Sequence, residues 1–368
     1  MVTITAGSAL PLDFSTLDIA NLLDGDITSR SSTSLRLDLG GGDIVLFTGT
    51  GFTYNHDGDP IGGTISGIKE TVNGVLAFDL TGASTPVSQF VDWVLTGASL
   101  TALQTIFSGN DVLNGVGLDE VIGGFGGHDN LFGGAGSDSL YGGDGNDHLY
   151  GQSANGGTDS GDLIYGEAGS DYIQGNMGND SLDGGSESDR IQGGQGNDSI
   201  RAGEGNDTVN GNLGNDSIDG ASGNDSLRGG QGNDSISGGE GNDILSGDLG
   251  IDSLSGGTGA DIFTFAGQSS TLAAGADRIT DYVDGTDHIA LGFVPAAILT
   301  GSQQASLSAA QAAAQQLFDG HAGNAEVAAI SVGTDSYILY SSSGGATVDS
   351  AILIANVSSG VFGAGDFI

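Results

Sequence analysis

The chain has 368 residues, 70 of them glycine, and sets 47 acidic side chains against seven basic ones, for a formal net charge of −40. That surplus argues against nucleic acid and anionic membranes as partners, and no run of eighteen apolar residues exists to span a bilayer. There is no cysteine, so stability that an ordinary core does not supply has to come from metal and not from disulfides.

The first 107 residues read as a β-rich cap domain. Alternation in Ser34-Leu35-Arg36-Leu37-Asp38-Leu39 and the apolar run Ile44-Val45-Leu46-Phe47 predict strands, with further strands at Thr64 to Ile68 and Val75 to Leu80. Thr85-Pro86 predicts the start of a short helix with Val87, Phe90, Val91 and Val94 on one face, ending near Gly97. Asn55-His56-Asp57-Gly58-Asp59 has the residues of a calcium loop without its later glycine and glutamate, and reads as a plain turn. The opening residues lack the basic and continuous apolar regions of a secretory leader.

The next stretch is governed by aspartate spacing. From Asp162 onward an aspartate stands at every ninth residue: Asp171, Asp180, Asp189, Asp198, Asp207, Asp216, Asp225, Asp234, Asp243, Asp252 and Asp261. The segment from Gly193 to Gln231 shows the unit as GGQGNDSIR, AGEGNDTVN, GNLGNDSID, GASGNDSLR, GGQ, which reduces to GGxGxDxUx with U apolar. Glycine at positions one, two and four suits backbone angles closed to residues with a Cβ, so six residues predict a turn. The remaining three, such as Ser199-Ile200-Arg201, predict a short strand whose middle side chain points inward. Two nonapeptides then make one coil, and six coils stacked at about 4.8 Å rise roughly 25 to 30 Å. The core is a single file: Ile164, Ile173, Leu182, Ile191, Ile200, Val209, Ile218, Leu227, Ile236, Leu245, Leu254 and Phe263.

Alternate repeats place their turns on one edge, so Asp198 stacks on Asp216 and Asp216 on Asp234. Left alone these carboxylates repel. Calcium takes six to eight oxygens, and two stacked turns can provide carboxylates and glycine carbonyls together. One ion per gap gives about ten ions in the regular run. Upstream, Asp111, Asp119, Asp129, Asp138 and Asp147 stand at spacings of eight, ten, nine and nine, and join the twelve as candidate calcium ligands. Fifteen residues then separate Asp147 from Asp162, so six extra residues within Gln152 to Gly161 are expected to bulge. Glu187 replaces the fourth-position glycine in GGSESD, either weakening that turn or adding a ligand. This repeat is identified as the RTX, or hemolysin-type, calcium-binding nonapeptide, whose family implies a parallel β-roll.

After Gly259 the repeat gives way to GADIFTF and then DRITDYVDGTDHIAL, similar to the domain that comes after the roll in serralysin-like proteases. Ser308 to Phe318 predicts a helix, with Ser308 and Gln311 as a capping box and Gly320 as its stop. Strands are expected at Val327 to Val332, Ser336 to Tyr340 and Ala351 to Ile354. Ser341-Ser342-Ser343-Gly344-Gly345 stands where many relatives carry an aspartate-rich turn. The ending Asp366-Phe367-Ile368 resembles the uncleaved signal of type I exporters, an acidic residue followed by apolar ones.

Protease, lipase and cysteine-nucleophile motifs are missing from this sequence; carboxylates abound, but a paired-acid glycosidase would have to fit its catalytic domain within the first 107 residues, which is small for that chemistry. The chain contains no HExxH, no GxSxG and no cysteine nucleophile, and its five histidines, His56, His128, His148, His288 and His321, are scattered. Pore-forming relatives carry long apolar segments and acylated lysines, whereas this chain has Lys69 alone. Two surface features remain. Phe132, Tyr141, Tyr150 and Tyr165 take the outward place after the apolar residue in early coils, and Met177, Leu213 and Leu249 recur every 36 residues at the third turn position.

The expectation is therefore an all-β protein: a β-rich cap at 1–107, an RTX β-roll at 108–262, and a mostly β domain with one helix at 263–368. It is read as a secreted, calcium-dependent structural or adhesive protein and not an enzyme. Its expected partners are the type I secretion machinery and further copies of itself. The alternative is a polysaccharide-binding or enzyme-accessory module.

Overall fold

The computed structural model describes residues 108–115, 119–152, 160–265, 276–293, 295–319, 326–341 and 348–368, together with the backbone of six strands before residue 87. It is mostly β, and falls into two compact units, Met1–Ser181 and Leu182–Ile368.

In the first unit the six early strands are β1 Thr3–Ala6, β2 Asp26–Arg30, β3 Ser34–Gly40, β4 Asp43–Tyr54, β5 Pro60–Val72 and β6 Val75–Pro86. Strands β2 to β6 pair in antiparallel succession. The four predicted strands all lie inside longer ones; β4 and β5 gain most, since their pairing continues through glycine- and threonine-rich sequence by way of register shifts. The expected helix start at Thr85-Pro86 is instead the end of β6, where Pro86 faces Thr64. Strand β1 meets β6 at Phe78 to Thr81 and stops short of Pro86, so among the described residues no strand on that side requires the N–H that proline lacks. The rest of that helix, and the turn at Asn55 to Asp59, lie outside the described residues.

Strand β1 also pairs in parallel with Val112–Asn114, which joins this antiparallel sheet to the first strand of a parallel roll. From there successive strands alternate between two sheets. Leu113, Leu131, Leu149 and Ile173 stack along one, and Ile122, Leu140 and Ile164 along the other, all of them fully buried. The six extra residues are absorbed between Gln152 and Ser160 without loss of register, since His148–Gln152 pairs directly with Tyr172–Met177. Residues 153–159 themselves lie outside the described residues.

The second unit holds roll strands Arg190–Gln195, Thr208–Leu213, Ser226–Gln231, Ile244–Leu249, Ile262–Thr264 and His288–Ala290 in one sheet. The opposite sheet holds Ser199–Glu204, Ser217–Ser222, Ser235–Glu240, Ser253–Thr258 and Asp277–Ile279. These strands are longer than the expected three residues. Pairing skips one residue and resumes, as in Arg201↔Asp219 followed by Gly203↔Ala221 and Glu204↔Ser222. Only three residues, such as Gly205-Asn206-Asp207, lie outside the ladder. The bend comes from the second position, where φ is positive even in Asn212 (74°), Ala221 (68°) and Asp248 (63°). Glu187 at the fourth position is also forced to φ 70°, and its exposed carboxylate accepts the Ser186 hydroxyl at 2.9 Å instead of turning into the core.

The roll closes differently on its two sheets. Asp277–Ile279 pairs in parallel with Ser350–Ile354, and the sheet then turns antiparallel through Asp335–Tyr340 and Glu326–Val332, with Ala297–Thr300 at its edge. Helix α1, Leu307–Asp319, packs Ala310, Ala314 and Phe318 onto Ala328, Ile330, Leu339 and Ala351. Its cap is Ser306, whose hydroxyl accepts the Ala309 N–H at 3.3 Å, two residues before the predicted box at Ser308. On the other sheet His288–Ala290 is covered by the chain end: Ile289 bridges Phe367, and the Ile368 N–H donates to the Ile289 carbonyl at 3.2 Å. The Tyr282 hydroxyl lies 3.1 Å from Asp366 Oδ1, and Asp366 Oδ2 accepts the Gly363 N–H at 2.6 Å. Among the described residues no helix is long and apolar enough to cross a membrane.

Candidate metal centre: the carboxylate ladder

Every sixth-position carboxylate along the roll is buried, between 0% and 4% exposed. One oxygen of each is used by the main chain of the coil before it. On one edge of the second unit the Asp198 N–H donates to Asp216 Oδ1 at 2.9 Å, Asp216 to Asp234 at 2.8 Å and Asp234 to Asp252 at 2.8 Å. On the other edge Asp189, Asp207, Asp225 and Asp243 donate in the same way to Asp207, Asp225, Asp243 and Asp261. In the first unit Asp111, Asp129 and Asp147 donate to Asp129, Asp147 and Asp171, while Asp138 and Asp162 donate to Asp162 and Asp180.

The second oxygen is the informative one. Oδ2 of Asp129, Asp147, Asp207, Asp216, Asp225, Asp234, Asp243, Asp252 and Asp261 is buried without a hydrogen-bond donor. A Cβ added at Gly211 would collide with Asp216 Oδ2 and with the Gly229 carbonyl oxygen; Gly220 stands likewise beside Asp225 Oδ2 and the Gly238 carbonyl, and Gly238 beside Asp243 Oδ2 and the Gly256 carbonyl. First-position glycine is therefore favoured by crowding and not, as expected, by backbone angle. Ala202 takes that place once and is fully buried, so the cradle there yields to one methyl. Two oxygens with lone pairs facing one buried space need a proton or a cation between them. A hard cation that accepts carboxylate and carbonyl oxygens together fits this donor set. Among the described residues no three acidic or histidine side chains converge, so main-chain carbonyls would complete the coordination.

Electrostatics point the same way. Burial, opposed by the main-chain hydrogen bond and reinforced by neighbouring aspartates, pushes Asp129, Asp225, Asp234 and Asp252 up to about 7. Asp261 rises to about 6 for the same reasons. Without a cation the ladder resists its own ionisation at neutral pH.

Three ladder members escape a search for regularly spaced aspartates. Glu120, 1% exposed, holds the sixth position in its turn and its N–H donates to Asp138 Oδ1 at 2.7 Å. Asp119 is exposed one place earlier, where it accepts the Ser137 N–H at 2.9 Å. The irregular eight-and-ten spacing thus hides an unbroken nine-residue phase from Asp111 to Asp147. Beyond Asp261 the ladder continues to Asp277 and Asp287, which accept from Asp252 at 3.0 Å and Asp261 at 3.1 Å. Both precede an apolar residue by two, Ile279 and Ile289, the signature by which they could have been found.

A second rail, unforeseen from sequence, runs outside the first and in the opposite sense. At the fifth position the side chain accepts the N–H of the coil after it: Asn197 from Asn215 at 2.7 Å, Asn215 from Asn233 at 2.6 Å, and Asn206 from Asn224 at 2.8 Å. The outward aromatics of the first unit stack on one another. Phe132 lies 5.0 Å from Tyr150 at 5°, and Tyr141 lies 5.3 Å from Tyr165 at 11°.

The fold and its ladder define a calcium-binding repeat roll. Residues 123–156, 156–191, 183–218, 219–254 and 240–272 match the family described as RTX calcium-binding nonapeptide repeat (4 copies). Among solved structures, the chain is similar to the solution structure of the AlgE6R3 subunit of a mannuronan C5-epimerase from Azotobacter vinelandii. The identity is 22% and the TM-score 0.22, over 50% of this chain and 80% of that one. No curated protein sequence matches the chain.

Proposed function

We propose that the chain is a secreted calcium-binding structural protein that folds on meeting extracellular calcium and then associates with copies of itself at the cell surface or in a matrix. The observation that carries this reading is the pair of buried carboxylate rails, in which Oδ2 of Asp216, Asp225 and Asp243 stands beside a main-chain carbonyl oxygen and meets no donor. In a calcium-poor cytosol those charges oppose folding, which suits export of an unfolded chain. Outside, the free energy of calcium binding is added to a core of one apolar side chain per repeat. No enzymatic role is proposed. The rival, a polysaccharide-binding or enzyme-accessory module, places the glycan on the amino-terminal domain; the carboxylate rails favour the structural reading.

Calcium titration followed by far-UV circular dichroism tests the folding step, with a cooperative gain of strand expected and an unchanged spectrum refuting it. Electron microscopy with calcium and then chelator tests assembly. Ordered polymers present only with calcium support it, and monodisperse particles at all concentrations that bind glycan would establish the rival.

A further inference from the structure

The two edges of the roll in the second unit differ in chemistry although one repeat builds both. The turns leading to Asp207, Asp225 and Asp243 carry the exposed acids Glu204 and Glu240, and the turn before them carries Glu187. The turns leading to Asp198, Asp216, Asp234 and Asp252 present Gln195, Leu213, Gln231 and Leu249 at the third position, joined in register from coil to coil. Leu213 is 41% exposed, Leu249 46% and Ile251, beside it at the fifth position, 41%. A carboxylate also stands along these turns at Asp248, and Arg228 neutralises it through contacts of 2.8 and 3.0 Å. A chain with a net charge of −40 thus keeps one edge of this roll almost free of uncompensated charge and places three large apolar side chains there.

We propose that this edge is where a second copy of the chain docks, edge to edge and antiparallel. The inference deepens the self-associating reading above and rests on it. The occupant is argued from charge and spacing. A second copy is as acidic as the first, so two copies approach with least repulsion at their uncharged edges. The leucines stand two coils apart, roughly 10 Å, with glutamine between. Under a two-fold axis each leucine of one copy meets the gap between leucines of the other, so the pattern is complementary to itself. Four turns of edge fall well short of the about 800 Å² per partner typical of stable dimers, so one pairing is weak and grows with concentration and with the number of copies aligned.

Sedimentation velocity in calcium over a concentration series tests this with the full chain, Leu213→Glu/Leu249→Glu, and Leu213→Gln/Leu249→Gln. Glutamine already occupies the equivalent place at Gln195 and Gln231, so the second variant preserves folding if the first does not; calcium-dependent circular dichroism verifies both. The parent is expected to sediment faster as concentration rises while both variants remain monomeric. A folded variant that associates as the parent does overturns the assignment of this edge and leaves self-association standing. A parent that stays monomeric throughout overturns self-association itself.

Discussion

Replacing Asp225 by asparagine separates the two roles of a ladder carboxylate. The amide keeps Oδ1, so it still accepts the Asp207 N–H at 2.8 Å. It removes the charge and puts an N–H donor where Oδ2 now shares its space with the Gly238 carbonyl. Asp225 is 2% exposed and is raised from the ordinary 3.8 to about 7. A carboxylate raised in the folded state contributes stability that is fully present below its unfolded value and is lost as pH rises through the folded one. Above pH 7 without calcium, ionised Asp225 therefore costs the roll about 4 kcal/mol. At pH 8, Asp225→Asn should leave the calcium-free chain with more strand than the parent. It should also move the calcium midpoint several-fold higher, since one ligand is lost. Exposed Asp219, whose charge adds only a lesser part of the rise at Asp225, supplies the comparison, Asp219→Asn, which should move both quantities far less. Calcium titration by far-UV circular dichroism reads both effects, and the reasoning fails if the two variants behave alike or if Asp225→Asn lowers calcium-free structure without moving the midpoint.

The raised values of Asp129, Asp225, Asp234, Asp252 and Asp261 make the calcium-free chain gain strand as pH falls from 8 through 6. With limiting calcium the dependence should reverse, because protons displace the cation; circular dichroism against pH at fixed calcium measures both arms. Truncating Ile218→Ala, at a site 2% exposed, should cost about 2 to 5 kcal/mol in urea unfolding with calcium, a large fraction of what a single-file core supplies. Glu120→Ala should lower the calcium stoichiometry measured by calorimetry, whereas Asp119→Ala, which removes an exposed acceptor of one N–H, should leave it unchanged.

The parts of this fold that could be read in advance are those set by period. The apolar single file from Ile164 to Phe263 and the stacking of Asp198, Asp216 and Asp234 result from spacing alone, because a two-sheet coil makes nine residues advance half a turn. Residue type misled where register decided: Asp119 had the expected side chain, but Glu120 had the expected place. Asp277 and Asp287 kept the local pattern and lost the interval, since unequal connections separate them from Asp252 and Asp261. The helix start was ambiguous between Ser306 and Ser308, both of which suit a cap; the hydrogen bond to Ala309 chooses the first. First-position glycine looked like a matter of backbone freedom, and only stacked coils reveal the carboxylate and carbonyl that crowd a Cβ there. The asparagine rail could not be read from sequence at all, because its direction exists only between coils.

Two rails of opposite sense make each coil both giver and receiver of hydrogen bonds along its turns. A single nonapeptide gained or lost would carry every later turn to the opposite edge, exchanging leucine and glutamine positions for glutamate. Eighteen residues preserve the edge, and thirty-six also preserve the alternation of leucine with glutamine. The length of such a protein is therefore a stepped quantity. Its history of duplication is constrained by the parity of the coil, and a lineage that lengthens it should do so in even numbers of repeats.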